Sequence, residues 1–360
     1  MQVQVDALSA RIGGGLSYIV QQLGGLVQVR PDWGISVLAA PWNEKALRSI
    51  SGVQVRLIAV HSLAHRLAFE QGVLPLLGGD LDVLYCPGNF APLASRTPCV
   101  VTQQNPNYFG RGRAIASPVS TRMRIETMLA KLSIRKASAV LVISQSLREE
   151  MERDGLWTSK CQVVLSGAPV SASVGEKPDG LEGHSRFLLS LANDYPHKRL
   201  DDLVHAWSRL LQQDDPPSLV IAGGISPFRI EHQRSLVPPA HRARLLHMGA
   251  VDSPPQVRWL LENAIALVIT SELEAFPLTP AEAGDAGCPL VLTDIPPHRE
   301  VTENRGHYFG VGRIDDLASR IVDLLVRPPS RERWRWPVSW EQNAEELARL
   351  LEGVASAERG

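Results

Sequence analysis

Two glutamates, Glu274 and Glu282, have the spacing and the surroundings of ligand-binding carboxylates. Seven residues separate them. Glu274 falls in a proline-containing loop, and Glu282 falls one turn into a short helix that Gly287 and Pro289 should end. Loop amides and a helix N-terminus suit a diphosphate group. A fixed carboxylate suits a pair of sugar hydroxyls, because it can accept two hydrogen bonds at once.

The same residues also admit a purely structural interpretation. Thr279, Pro280 and Glu282 have the spacing of a capping box, with threonine at the N-cap, proline at N1 and glutamate at N3. On that interpretation, Glu282 only satisfies a backbone N–H at the start of its helix. The residues alone leave both interpretations open.

A glycine run, formed by Gly13, Gly14 and Gly15, lies between the first strand and the first helix of the sequence. Glycines at a strand-to-helix turn let the backbone approach a ligand closely. A dinucleotide fingerprint of the form G-x-G-x-x-G would require glycine at position 18, where the chain has Tyr18. We therefore reject that motif, and a plain tight turn is the other interpretation of the run.

Short apolar runs alternate with helical patterns along the chain, which predicts an α/β fold with two parallel sheets. Residues 171–185, rich in serine, glycine, proline and charge, separate the two series of strands. The tail at residues 339–354 has the apolar spacing of an amphipathic helix that starts at Ser339. The predicted strands are residues 2–8, 35–39, 53–58, 83–85, 99–102, 139–143, 187–191, 218–222, 245–247, 267–270 and 290–293.

The composition limits the classes of partner. A length of 360 residues favours two domains, and 44% hydrophobic residues suffice for a core in each. The formal net charge of -1 argues against a nucleic-acid partner. A basic run at residues 111–136 is a candidate contact surface for an anionic membrane or acceptor, the alternative being a solvated helix face. Its basic residues are Arg111, Arg113, Arg122, Arg124, Lys131, Arg135 and Lys136.

The four cysteines, Cys86, Cys99, Cys161 and Cys288, lie in or beside apolar runs and have no paired spacing. Such cysteines are typical of reduced core residues, which indicates a cytoplasmic protein. The sequence opens on an apolar strand rather than on a targeting signal. No apolar run reaches the ~18 residues that span a bilayer, so we expect any membrane contact to be peripheral.

The stretch SELEAFPLTPAEAGDAGCPLVLTDIPPHREV, residues 271–301, resembles the E-x7-E segment of the retaining glycosyltransferases of family 4. The likeness extends over most of the chain and is strongest between residues 190 and 301. It implies the GT-B fold, in which two Rossmann-like lobes with parallel sheets face a cleft and a C-terminal helix crosses back to the N-terminal lobe. The positions shared with the family segment are Glu274, Phe276, Leu278, Glu282, Ala283, Gly287, Pro289, Asp294, Ile295, Pro296, His298, Arg299, Glu300 and Val301.

The resemblance implies three parts of the chain. Residues 1–170 would form an acceptor-side lobe, residues 186–335 a lobe that binds the nucleotide sugar, and residues 336–360 a helix packed back toward the N-terminal lobe. The implied activity is transfer of a hexose-type sugar from a nucleotide sugar to an acceptor hydroxyl, with retention of configuration, in glycan or polysaccharide biosynthesis. The acceptor would be a sugar, a lipid-linked molecule or a small molecule.

The resemblance also implies roles in donor binding. Lys198 falls where the family has a lysine that pairs with the diphosphate, and a fixed cation there would stabilise the leaving group. Asn193 stands where the family often has arginine, and Val251 lies where the backbone holds the base. Gly14 and Gly15 match a family loop that faces the diphosphate and the acceptor. The remaining donor-binding positions are Phe276, Pro277, Leu278, Thr279 and Glu282, of which Glu282 would hold the ribose.

On the acceptor side, Gln104 and Asn105 stand where the family has histidine and aspartate at a strand end. Gln104 can hydrogen-bond a sugar but cannot act as a general base. The family reaction is usually pictured as front-face attack in which the leaving phosphate takes the acceptor proton. The expected catalytic residues are then Glu274, which would position donor-sugar hydroxyls or steady charge on the ring, and Lys198.

Neither a metal nor another cofactor is expected. Asp80 and Asp82 spell D-x-D, the metal signature of the other major glycosyltransferase fold, but they directly precede a strand, where family 4 commonly has an aspartate entering the sheet. His197 and His298 lie beside motif residues and are assigned structural or peripheral roles.

Two other functions stay open. The departures at Gln104 and Asn193 are compatible with a non-catalytic GT-B subunit that binds sugar or acts as a scaffold. A related two-lobed nucleotide-sugar epimerase is the third hypothesis.

Overall fold

The computed structural model describes residues 1–11, 13–77, 79–110, 120–168, 174–251 and 253–357. The chain divides into two compact units. Unit 1 consists of Met1–Gly167 together with Val338–Gly360, and unit 2 consists of Ala168–Pro337. The chain therefore leaves unit 1, builds unit 2 and returns to unit 1 at its end.

Unit 1 contains a seven-stranded parallel sheet in the order β3-β2-β1-β4-β5-β6-β7. Its central strands are buried along almost their whole length, as parallel strands in α/β proteins usually are. The strands are β1 (Gln2–Asp6), β2 (Gly34–Ala39), β3 (Val53–Leu57), β4 (Val83–Cys86), β5 (Cys99–Gln103), β6 (Ala139–Val142) and β7 (Cys161–Val163). The helices between them are α1 (Gly14–Val29), α2 (Glu44–Arg48), α3 (Leu63–Ala68), α4 (Thr121–Lys136) and α5 (Gln145–Arg153).

Unit 2 contains a six-stranded parallel sheet in the order β10-β9-β8-β11-β12-β13. Leu188 belongs to one buried apolar cluster, whereas its neighbours Phe187 and Leu189 belong to a second, so apolar side chains pack on both faces of the sheet. The strands are β8 (Phe187–Leu191), β9 (Ser218–Ala222), β10 (Leu245–Gly249), β11 (Leu267–Ile269), β12 (Leu290–Thr293) and β13 (His307–Phe309). The helices are α6 (Leu200–Ser208), α7 (Pro227–Ser235), α8 (Pro254–Asn263), α9 (Leu278–Ala286), α10 (Pro296–Thr302) and α11 (Ile314–Val326).

The C-terminal helix α12 (Trp340–Ala357) packs against α1 within unit 1. A capping box starts it: the Ser339 hydroxyl accepts from the Gln342 N–H at 3.1 Å, and the Gln342 side chain accepts from the Ser339 N–H at 2.8 Å. The Gln22 amide of α1 donates to Asn343 Oδ1 at 2.9 Å. The chain therefore closes unit 1 with its last helix.

The α/β class and the two parallel sheets are confirmed, and every strand predicted from sequence is present. The sequence missed β7 and β13, because each has only three residues and lies at the edge of its sheet. The four cysteines are free, and Cys161 alone among them is half-buried rather than buried. Within the described ranges, no helix has both the length and the apolar character needed to cross a membrane.

Candidate functional site

The central pair of the candidate site, Lys198 and Glu274, lies where β8 and β11 end in unit 2. The carboxyl ends of neighbouring parallel strands are the usual place for a ligand in such sheets. Lys198 ends a 3-10 turn (Pro196–Lys198) after β8, and Glu274 lies in the loop between β11 and α9. Lys198 Nζ donates to Glu274 Oε1 at 2.6 Å, and only 21% and 14% of the two side chains are exposed. The structure thus brings the two predicted catalytic residues into a largely buried ion pair.

Two hydrogen bonds tie the Lys198 turn to the loop that carries Glu274. The Thr270 hydroxyl donates to the carbonyl oxygen of Lys198 at 2.7 Å. The backbone N–H of Glu272 donates to the carbonyl oxygen of His197 at 2.9 Å. These two bonds join the two segments, so Lys198 and Glu274 are held in fixed positions relative to each other.

A polar floor formed by His298, Thr293 and Ser271 supports Glu274. His298 is fully buried, and its Nδ1 donates to the Thr293 carbonyl at 2.8 Å. The Thr293 hydroxyl donates to the Ser271 carbonyl, and the Ser271 side chain hydrogen-bonds Glu274. His298 Nε2 has no hydrogen-bond partner among the described residues. The structural role expected of His298 from the sequence agrees with this buried position.

The charges at this point are well defined. Burial alone would raise the pKa of Glu274, but the Lys198 ammonium, His298 and the Ser271 hydroxyl hold it below its usual value. Burial and the nearby Lys198 lower the pKa of His197, and burial lowers the pKa of His298. Both imidazoles are therefore neutral at pH 7. Lys198 is the cation that balances the buried Glu274 carboxylate.

Glu282 has a different environment. It lies within α9 and is half-buried. Burial raises its pKa to about 7, and no charge or hydrogen bond from the described residues opposes this effect. The carboxyl group is consequently balanced between its protonated and charged forms at neutral pH, and the charged form can accept more hydrogen bonds than the protonated one.

The capping-box interpretation of Glu282 is wrong. Helix α9 starts at Leu278 rather than after Thr279, with Pro277 at the N-cap and no side-chain capping bond. Pro277 has φ -78°, which suits the entry into a helix, so the helix begins two residues earlier than the threonine pattern suggests. The amides of Leu278 and Thr279 fall in the first turn, where no intrahelical acceptor exists.

A strap formed by residues 331–336 (sequence RERWRW) holds α9 in place. Arg335 and Arg258 both pair with Asp285 of α9, Arg335 at 2.7 Å. The Trp334 ring lies so close to Gly284 that a β-carbon there would come within 2.3 Å of it. The strap was not predicted from the sequence, although its alternating arginines and tryptophans are a pattern that could have identified it.

Three further residues predicted to bind the donor, Asn193, Val251 and Phe276, contact neighbouring parts of unit 2. Asn193 Oδ1 accepts from the Gly224 N–H at 3.2 Å and so joins the ends of β8 and β9. Val251 is half-buried against the apolar cluster of this sheet. The Phe276 ring meets Trp336 of the strap edge-on, at 5.3 Å between ring centres.

In unit 1, the structure brings Gly15 next to Gln104. A β-carbon on Gly15 would lie 3.8 Å from Gln104 Oε1, whereas one on Gly14 would meet nothing within 4 Å. Both glycines belong to the first turn of α1, and only Gly13, at the N-cap, has the left-handed φ of 88° that favours glycine. The glycine run is therefore a helix start, with Gly13 as its turn residue.

Asn89 organises the Gln104 and Asn105 strand end. Its side-chain oxygen accepts from both their backbone N–H groups, at 2.7 and 2.9 Å. Gln104 Nε2 donates to the Pro87 carbonyl at 2.6 Å, and Asn105 Oδ1 accepts from the Asn107 N–H at 3.0 Å. Asn89 has φ 72°, and no motif in the sequence marks it.

Asp82, the second aspartate of the D-x-D sequence, lies directly before β4 in the unit 1 sheet. Asp82 Oδ2 accepts from the Gln2 N–H at 2.7 Å, beside the pairing of β1 with β4. No cluster of three His, Cys, Asp or Glu side chains suited to a metal occurs among the residues that the structure describes.

Of the basic run at residues 111–136, Arg111 and Arg113 lie outside the described residues. Helix α4 carries the rest of the basic run and exposes Ile125 and Met128 beside it.

Residues 176–336 match the family model of the glycosyl transferases group 1. The O-antigen chain mannosyltransferase RfbU of Salmonella typhimurium is 23% identical over 210 residues, which cover 57% of this chain and 56% of that protein. The serotype-specific mannosyltransferase WbdA of Escherichia coli is 30% identical over 103 residues, 27% of this chain and 12% of that protein. The chain thus spans about half the length of the first relative and a small part of the second.

Solved structures resemble the whole chain. WaaG, a glycosyltransferase involved in lipopolysaccharide biosynthesis, matches with a TM-score of 0.71 at 15% identity, over 99% of both chains. Anabaena HepE in complex with UDP-glucose matches with a TM-score of 0.70 at 16% identity, over 100% of this chain and 99% of that one. These likenesses, with the two parallel sheets, show that the chain has the GT-B fold. The family match over residues 176–336 and the mannosyltransferase relatives support a group 1 glycosyltransferase.

Proposed function

We propose that the chain is a retaining glycosyltransferase of family 4 that transfers a hexose from a nucleotide sugar to an acceptor hydroxyl in glycan or polysaccharide biosynthesis. The observation that carries this proposal is the Lys198–Glu274 pair at the carboxyl edge of the unit 2 sheet, in a loop that leads directly into α9 and Glu282. A cation and the start of a helix suit a diphosphate. Two carboxylates suit the hydroxyls of the donor sugar and of the ribose.

Each group has a part in the proposed reaction. Lys198 and the first-turn amides of α9 bind the diphosphate and stabilise the charge that develops as it leaves. Glu274, held as a carboxylate by its surroundings, accepts hydrogen bonds from the donor sugar and steadies positive charge on its ring. Glu282 accepts the two ribose hydroxyls. The leaving phosphate takes the acceptor proton, so Gln104 is required only to hydrogen-bond a sugar.

The donor base and the acceptor are the parts of this proposal that the relatives help to narrow. Two relatives bear the name mannosyltransferase, and one structural neighbour was solved with UDP-glucose, so guanine and uracil nucleotides are the first to test. The exposed Arg124, Ile125 and Met128 of α4 combine positive charge with apolar surface. This surface supports a peripheral contact with an anionic membrane and, with it, a lipid-linked acceptor. We propose in addition that the enzyme is cytoplasmic and needs no metal.

Thermal shifts with UDP, GDP, ADP and TDP, followed by incubation with the matching nucleotide sugar, test the proposal. We expect one nucleotide to raise the melting temperature, also in EDTA, and proton NMR of the product to show the anomeric configuration of the donor. Inversion would contradict the retaining mechanism. Binding without any sugar transfer or hydrolysis would favour the non-catalytic alternative, and an isomerised nucleotide sugar would favour an epimerase.

A further inference from the structure

The Lys198–Glu274 pair joins two groups that the proposed function assigns to different parts of the donor. Lys198 binds the diphosphate, and Glu274 binds hydroxyls of the sugar. In the structure, the two side chains instead bind each other, at 2.6 Å. A donor that enters this site must therefore offer Lys198 a new anion and offer Glu274 new hydrogen-bond donors in place of their mutual contact.

Glu274 depends on Lys198 because it is buried. Only 14% of its side chain is exposed, and burial by itself works against the charged form. The other contributors to its charge are the Ser271 hydroxyl and His298, whose imidazole is itself disfavoured as a cation by burial. A ligand that diverts Lys198 leaves a buried carboxylate without its main counter-charge, which is costly even when the ligand itself is well bound.

We propose that this ion pair makes the site discriminate against the spent nucleoside diphosphate and in favour of the intact nucleotide sugar. The proposal rests on the proposed function. A nucleotide sugar compensates both groups, because its diphosphate engages Lys198 while its hydroxyls donate to Glu274. A bare nucleoside diphosphate engages Lys198 alone, and its terminal phosphate brings additional negative charge toward Glu274. The product is then the weaker ligand and leaves the site to the next donor.

Calorimetry on the full-length protein at mildly alkaline pH tests this, with UDP against UDP-glucose and GDP against GDP-mannose. Glu274→Gln removes the charge but keeps the shape. We expect it to bind the nucleoside diphosphate about tenfold more tightly than the wild type, and to bind the nucleotide sugar less tightly. Glu272→Gln is the matched control: Glu272 lies in the same loop but pairs with Arg199 at 3.1 Å, so this variant should keep the wild-type preference.

The wild type supplies a measurement that depends on no variant. Its dissociation constant for the nucleoside diphosphate should exceed that for the matching nucleotide sugar. Equal or tighter binding of the diphosphate would overturn the inference, as would a folded Glu274→Gln protein with the wild-type preference. A wild type that binds none of UDP, GDP, ADP and TDP in the thermal-shift test would defeat the proposed function instead.

Discussion

Glu282 and Glu274, which seven residues separate, have opposite electrostatics. Glu274 faces Lys198 and is held in its charged form, whereas Glu282 is half-buried with no opposing charge among the described residues, and its pKa rises to about 7. In the proposed function, a charged Glu282 accepts both ribose hydroxyls. The protein should therefore bind nucleotide weakly when Glu282 is protonated and strongly when Glu282 is charged.

Nucleotide affinity should accordingly fall as the pH drops through about 7. The raised pKa of Glu282 affects the stability of the fold in the opposite direction. In the folded protein this pKa is about 7, whereas in the unfolded chain it has its ordinary value of 4.5, so the folded state holds the proton more tightly. This contribution to the free energy of unfolding is present below pH 4.5 and is lost as the pH rises through about 7. Calorimetry and denaturant unfolding of Glu282→Gln should show both dependences reduced; a variant that retains both would refute the assignment.

Truncation of the same residue gives a simpler test. Glu282→Ala should raise the nucleotide dissociation constant by the equivalent of ~1–3 kcal/mol, since it removes the acceptor for a pair of hydroxyls. The melting temperature of the variant establishes that it is folded. Unchanged affinity in a folded variant would mean that Glu282 does not touch the nucleotide.

At the scale of elements, the contact between α1 and α12 depends on one of two adjacent glycines. A β-carbon on Gly25 would come within 2.9 Å of both Ala344 Cβ and the Trp340 carbonyl, neither of which can swing away. A β-carbon on Gly24 would meet nothing within 4 Å. We expect Gly25→Ala to destabilise the protein by ~1–3 kcal/mol through overpacking.

Gly24→Ala is the matched control on the same helix, and it should be neutral or stabilise the protein by up to ~1 kcal/mol because alanine is the better helix former. Chemical denaturation measures both variants. Equal effects of the two substitutions would show that α12 does not lie against this face of α1.

The sequence predicted the elements whose pattern is local, and it failed to predict features that depend on contacts between distant parts of the chain. Long apolar runs located the central strands, and Ser339 located the start of α12. The start of α9 was misplaced, because a local capping pattern at Thr279 competed with Pro277, and the structure favours the proline. The role of Asn89 was invisible, since its left-handed backbone and its two hydrogen bonds to the Gln104 strand end arise only when the β4 and β5 loops meet.

At the scale of the whole molecule, the two units differ in continuity. Unit 2 is a single stretch of chain, Ala168–Pro337, with its own sheet and its own buried apolar clusters. Unit 1 needs the last part of the chain, since α12 covers α1 and Asn343 reaches the Leu165 carbonyl at 2.8 Å. Among the predicted site residues, most donor-binding positions fall in unit 2, whereas Gly14, Gly15, Gln104 and Asn105 fall in unit 1.

Residues 168–337 expressed alone should therefore fold, whereas residues 1–167 alone should not. Cooperative unfolding of each fragment, followed by circular dichroism, measures this. Residues 1–167 co-expressed with residues 338–360 provide the control, and they should recover structure. A folded 1–167 fragment would contradict the structural role assigned to α12.

The central claim is that Lys198 and Glu274 act on a nucleotide sugar, and release of nucleoside diphosphate tests it most directly. The full-length protein should release the diphosphate slowly from its nucleotide sugar without acceptor and faster with acceptor, and Lys198→Gln should lower both rates at least about a hundredfold, because the leaving group loses its cation. No release by the wild type with any nucleotide sugar, or an unchanged rate in a folded Lys198→Gln protein, would contradict the account.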